Sequence, residues 1–163
     1  QRWQSSSSTS TPVTGSSGVS ARSRIRIGLE SADPSVQKAT GGKVSLKRFE
    51  KAVSSLLKSG FKNDEVVAYI LAGLPNQRWE EVKHSIDYVM GLGIQPYIAE
   101  YTPIPHTALF EEFQKSARLP IAEDPIYQNN VLFPFAWEGF TENNLEFLKS
   151  YARGKKGTNI YNI

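Results

Sequence analysis

Two stretches of this chain repeat one pattern 33 positions apart. In the first, apolar residues stand at Leu46, Phe49, Val53, Leu56 and Leu57, followed by Gly60 and Phe61. In the second they stand at Trp79, Val82, Ile86, Val89 and Met90, followed by Gly93 and Ile94. Spacings of three and four put each series on one face of an amphipathic helix. A glycine just past the last turn is the usual left-handed helix stop. A strand pattern follows each glycine. Val66 to Leu71 is an uncharged run of the kind buried on both faces, and Gln95 to Tyr101 is its counterpart. A further strand precedes them, where Arg24 to Leu29 alternates and is bounded by Ser, Asp and Pro. Strand, helix, strand, helix, strand implies a parallel sheet with right-handed crossovers. Two copies with turns of different composition read as βα units, with a solenoid as the alternative.

The rest of the chain divides around this unit. Residues 1–24 are mostly Ser, Thr, Gly and Arg. Such a leader buries too little apolar surface to offset an ordering entropy of about 1–2 kcal/mol per residue, so it is read as disordered. The folded unit is expected over 25–153. Asp33-Pro34 suits a cap and first turn, with a short helix to about Thr40 that stops at Gly41-Gly42. Thr102 to Thr107 is a loop stiffened by two prolines. A helix is predicted over Leu109 to Arg118. Leu119 to Phe140 is irregular and aromatic; Phe133 to Phe140 reads as a plug or as pocket lining. Thr141 caps a last helix with Leu145, Leu148, Tyr151 and Ala152 on one face. Gly154 ends it, and the tail 154–163 is expected to fray.

Several function classes are excluded. The 163 residues contain no cysteine, so no disulfide, thiolate metal site or cysteine nucleophile belongs to them. The formal charge of +3 is not gathered into a basic stripe, so nucleic acid is not expected. The longest apolar run, Val66 to Pro75, falls short of the ~20 residues that span a bilayer. The first residues lack the apolar core of a signal peptide. No membrane is expected, and the cytoplasm is the expected compartment. The chain starts at Gln1 and its single methionine is Met90, which suggests a piece of a longer protein, with a processed end as the alternative. Two histidines without cysteine make no zinc site, and no metal ligand is proposed. His84 falls off the apolar stripe. His106, in the proline loop, is read as solvated, with ligand contact as the alternative.

In parallel α/β folds the ligand site lies at the carboxyl ends of the strands. That rule selects Gly28-Leu29-Glu30-Ser31, Ala72-Gly73-Leu74-Pro75 and Glu100-Tyr101-Thr102-Pro103. Glycine at Gly28 and Gly73 allows close approach to the backbone. Glu30 and Ser31 offer acceptor and donor groups suited to sugar hydroxyls, while Leu74-Pro75 and Ile104-Pro105 suit the walls of a flat ring. The alternatives are plain turns, a surface or helix-dipole carboxylate at Glu30, and a lysine partner for Glu100. A third possibility sets Glu30 and Glu100 facing each other as acid and base.

Taken together, Arg26 to Pro34, Tyr69 to Gln77 and Glu100 to Thr107 resemble the carboxyl-terminal half of a radical S-adenosylmethionine (radical SAM) enzyme. The resemblance is to the broad group whose relatives often carry a cobalamin-binding domain. Asp124-Pro125 and Asn129-Asn130 resemble one subgroup of it, and the likeness runs from about Arg24 to Arg153.

The resemblance implies a partial (β/α)6 barrel whose fourth to sixth strands lie here. It implies that Glu30 and Ser31 approach the ribose and methionine of S-adenosylmethionine, that Ile70, Gly73 and Leu74 help hold adenine, and that Tyr101, Thr102 and Pro103 also contact adenine. Ala72 makes the adenine motif one residue longer than the simple family pattern. Many relatives have glycine where this chain has His106. The family's [4Fe-4S] cluster is bound by Cys-x-x-x-Cys-x-x-Cys after the first strand. The cluster cleaves the cofactor reductively to a radical that abstracts a substrate hydrogen. Without cysteine, this chain is expected to lack cluster binding and turnover when isolated. It is expected to need a cysteine-bearing amino-terminal half, which the resemblance makes its partner, or to self-associate through one unpaired sheet edge. A degenerate, non-catalytic fragment or interaction module is the alternative.

Overall fold

A computed structural model describes residues 24–39, 45–102, 104–129, 132 and 139–154. The amino-terminal leader, Gly41-Gly42, Pro103, Asn130, most of the Phe133 to Phe140 stretch and the tail after Gly154 lie outside the described residues.

The architecture is α/β. Strand β1 (Ile25–Glu30) is followed by α1 (Pro34–Ala39) and α2 (Leu46–Lys58), then β2 (Val66–Ala72), α3 (Trp79–Gly91) and β3 (Gln95–Glu100). Helix α4 (Ala108–Phe113), two 3-10 turns and α5 (Glu142–Ala152) complete it. The three strands form one parallel sheet in the order β1-β2-β3, as in part of a βα barrel. The repeat is reproduced in the helix bounds, since α2 and α3 start and end 33 positions apart, but Met90 is 43% exposed where its counterpart Leu57 packs on the core.

One face of the sheet carries the helices. Val66, Ala68, Ile70 and Ala72 of β2 are fully buried there, against Phe49 and Val53 of α2 and Val82, Ile86 and Val89 of α3. Fully burying a side chain of this size contributes roughly 1.5–3 kcal/mol, so this layer holds the unit together. Helix α5 extends it with Leu145, Leu148 and Ala152. The opposite face, where Tyr69 meets Tyr97 edge to face at 5.0 Å, has no helix over it among the described residues. Tyr97 is 53% exposed there.

The helix stops are built as their glycines suggest. Gly93 has φ +75°, and its carbonyl accepts from the Asn63 amide at 2.6 Å. A Cβ at Gly93 would stand 2.7 Å from that amide nitrogen, so both backbone and neighbour require glycine.

Two expectations change. The helix predicted to Arg118 ends at Phe113 and tightens into a 3-10 turn over Gln114–Ser116. The Ser116 hydroxyl donates to the Phe113 carbonyl at 2.9 Å, a local bond that competes with continued helix. Among the described residues the sheet also has two unpaired edges rather than one, the outer sides of β1 and β3.

Candidate cofactor site

The carboxyl ends of the three strands each turn through a left-handed residue. After β1, the Ser31 N–H donates to the Leu29 carbonyl at 2.9 Å across Glu30, whose φ is +66°. An i→i+2 bond around a positive-φ residue is the strained form of the γ-turn. Such a backbone costs on the order of 1–3 kcal/mol and persists only when its surroundings hold it. They do so here. The Ser85 hydroxyl of α3 accepts the Ala32 N–H at 2.9 Å, and the Ser31 hydroxyl accepts the Asp33 N–H at 3.0 Å. The Gln37 amide donates to the Ser31 carbonyl at 2.8 Å. A bulge between Gly28 and Glu30 shifts the register against β2 at the same point.

After β2 the chain turns at Gly73, φ +87°. The Gln77 side-chain oxygen accepts the Gly73 N–H at 2.8 Å and the Leu74 N–H at 3.2 Å. Its amide donates to the Leu71 carbonyl at 3.1 Å. Inside this clasp, Leu74-Pro75-Asn76-Gln77 closes with the Gln77 N–H on the Leu74 carbonyl at 3.0 Å and Asn76 at φ +60°. Proline second and a positive φ third define a type II turn.

Beyond β3 the same turn recurs. Ile104-Pro105-His106-Thr107 closes with the Thr107 N–H on the Ile104 carbonyl at 3.3 Å and His106 at φ +64°. The backbone at His106 is thus one that favours glycine, and its imidazole is exposed.

The sequence-predicted site residues separate into two groups. Glu30 is half-buried and level with Ile70. The Tyr101 N–H donates to the Ala72 carbonyl at 2.7 Å, which puts Tyr101 beside Gly73. Gly73 lies three residues past Ile70, or roughly 10 Å at ~3.3 Å per residue. The β1 end therefore sits one step below a contiguous group of Gly73, Leu74, Tyr101 and Thr102. Tyr101 packs on a small second core around Phe110 and Ile121, and burial raises its hydroxyl above the ordinary tyrosine range. Thr102 is half-buried. Pro103 lies outside the described residues.

Three side chains point away from any open surface. Ile70 is fully buried in the helix-side core, and Leu74 is 6% exposed. Ser31 is 1% exposed, with its hydroxyl engaged by Asp33 and Ser85 rather than offered outward. Gly28 is exposed, and a Cβ added there would meet nothing within 4 Å, so space remains above β1. Glu100 pairs with Ala72 in register on the helix-covered side and forms an ion pair with Lys149 of α5. It is occupied by lysine and not presented across the strand ends, as an acid/base pair with Glu30 requires.

Sequence reasoning missed Gln77 and Ser85. Ser85 had a signal, a polar residue inside the buried stripe of Val82, Ile86 and Val89. Gln77 stands at the end of the Tyr69 to Gln77 segment, but its role depends on where the β2 turn returns.

With that geometry in place, comparison with known proteins adds one finding. The radical SAM superfamily matches residues 19–89. The match spans β1 through most of α3 and takes in the β1 and β2 strand ends, fewer than half of the chain's residues. No curated protein matches the chain. No group of three or more His, Cys, Asp or Glu among the described residues forms a metal site, and no helix among them is long and apolar enough to cross a membrane. With no cysteine, the chain itself offers no thiolate to a [4Fe-4S] cluster. At the strand ends, open space remains above Gly28, and the Gly73 turn lies beside Tyr101.

Proposed function

We propose that this chain supplies the carboxyl-terminal part of a radical SAM enzyme of the cobalamin-related group. In that reading it contributes the strand ends that bind S-adenosylmethionine, and it works in the cytoplasm. The observation that carries the reading is the superfamily match over β1 to α3, which covers two of the three strand ends. Glu30 and the outward backbone of the β1 turn take the ribose and methionine side. Gly73, Tyr101 and Thr102 take adenine. The cluster thiolates come from a cysteine-bearing amino-terminal half, which pairs with the open edge of β1 and covers the helix-free face.

A second reading is a non-catalytic βα scaffold. What favours it is that Ser31 and Gln77 both turn their polar groups onto backbone. Titration calorimetry separates the two. S-adenosylmethionine is titrated into the chain combined with the cysteine-bearing polypeptide encoded upstream. Heat of binding is expected, weakened about ten-fold by Glu30→Ala through loss of a charge-assisted hydrogen bond. Absence of binding with that half present, or a Glu30→Ala variant indistinguishable from wild type, returns the chain to the scaffold reading.

A further inference from the structure

Ser85 sits in the middle of α3, fully buried beside Val82, Ile86 and Val89. A buried hydroxyl is costly unless it is hydrogen-bonded, and alanine is the better helix former. The counterpart 33 positions earlier in α2 is Ala52, so the repeated helix does not itself require a hydroxyl there.

The bonds of this hydroxyl run in one direction. A serine has one proton to donate and two lone pairs that accept. Ser85 gives its proton to the Glu81 carbonyl at 3.0 Å. Its lone pairs are then left for the turn after β1, where they take the Ala32 N–H at 2.9 Å and the Ser31 O–H at 3.4 Å. The Ser31 oxygen in turn accepts the Asp33 N–H at 3.0 Å. Glu30 stands immediately before the residues so held. Its φ is +66°, the Ser31 N–H and the Leu29 carbonyl meet across it at 2.9 Å, and the bulge between Gly28 and Glu30 re-aims its side chain. A glutamate rarely holds this backbone unaided.

We propose, resting on the reading of Glu30 as a contact to S-adenosylmethionine, that Ser85 is a positioning residue for that contact. It touches no ligand and acts through Ser31 and Ala32, which fix Glu30 in its left-handed turn. Ser31 is then an arm of this support rather than a ligand contact. Loss of the Ser85 oxygen frees the turn to relax toward negative φ and withdraws the Glu30 carboxylate from the cofactor.

A double-mutant cycle tests this by calorimetry, with S-adenosylmethionine titrated into the chain combined with the cysteine-bearing polypeptide. Ser85→Ala is expected to weaken binding about five-fold in the wild-type background and by less than about two-fold in Glu30→Ala, because it acts through Glu30. Ser85→Thr keeps the oxygen and the means to bond the Glu81 carbonyl. It is expected to bind within about two-fold of wild type, even though its extra methyl lowers the melting temperature. Val53→Ala, a core change on α2, controls for general destabilisation and is expected to bind as wild type. Should Ser85→Ala not fold, Ser85→Cys, close in volume and only weakly accepting, takes its place in the cycle. Equal losses in both backgrounds, or no loss in either, overturn the positioning role and leave the cofactor reading standing. A Glu30→Ala variant that binds like wild type overturns both.

Discussion

The Ser85 hydroxyl on α3 holds the Ala32 N–H at 2.9 Å, tying the turn after β1 to a helix 53 residues along the chain. The same hydroxyl donates to the Glu81 carbonyl at 3.0 Å, so its orientation is set from within α3. Ser85→Ala leaves a buried N–H without its acceptor. A loss of about 1–3 kcal/mol is expected, read as a lower urea midpoint. Exposed Ser54→Ala is the control, and equal behaviour of the two variants would mean that Ser85 does not secure the turn.

Gln77 clasps the β2 turn with both ends of its amide. Gln77→Leu removes the acceptor of two backbone N–H groups and the donor to Leu71. The expected destabilisation is about 2–4 kcal/mol, from the desolvation of those groups. Gln77→Glu keeps the acceptor and is expected to recover part of that loss. Thermal melts of the three proteins rank them, and a glutamate variant no better than leucine would contradict the assigned bonds.

His106 and Asn76 hold the same left-handed position of two type II turns. His106→Gly relieves that backbone and is expected to raise stability by up to about 1 kcal/mol. Asn76→Val, β-branched, is expected to lower it by more. Both are read as shifts in melting temperature, and a melting temperature that falls in His106→Gly would rule out strain at that turn.

Tyr88 on α3 donates to the Glu50 carboxylate of α2 at 2.9 Å. Burial first, and then that carboxylate, push its hydroxyl up to about 12. A raised value means the neutral phenol is favoured in the fold. The stability this contributes is whole below the ordinary tyrosine value of about 10 and is lost as pH rises through about 12. Tyr88→Phe is expected to flatten the alkaline fall of the urea midpoint over that window. An unchanged slope would assign the fall to another group.

The elements were legible where burial is one-sided. Phe49, Val53, Val82, Ile86 and Val89 recur at helical spacing because one helix face meets the sheet, and Gly60 and Gly93 mark where each helix stops. The site was legible only as a location. The strand-end rule picks out Glu30, Gly73 and Tyr101, but the inward turn of Ser31 and the clasp of Gln77 depend on backbone groups that come near only after folding. Helix α4 is shorter than its hydrophobic period suggests, because local side-chain bonds such as that at Ser116 leave no mark on that period.

By itself, the sequence determined the order of strands and helices, the parallel sheet that this order requires, and the absence of any thiolate for a cluster. Each follows from local periodicity or from composition. The tertiary structure decided which polar groups remain for a ligand. Burial between sheet and helices makes every unpaired N–H costly, so Ser31, Gln77 and Ser85 are drawn onto backbone, and Glu100 onto Lys149. At the strand ends, half-buried Glu30 and Thr102 are left.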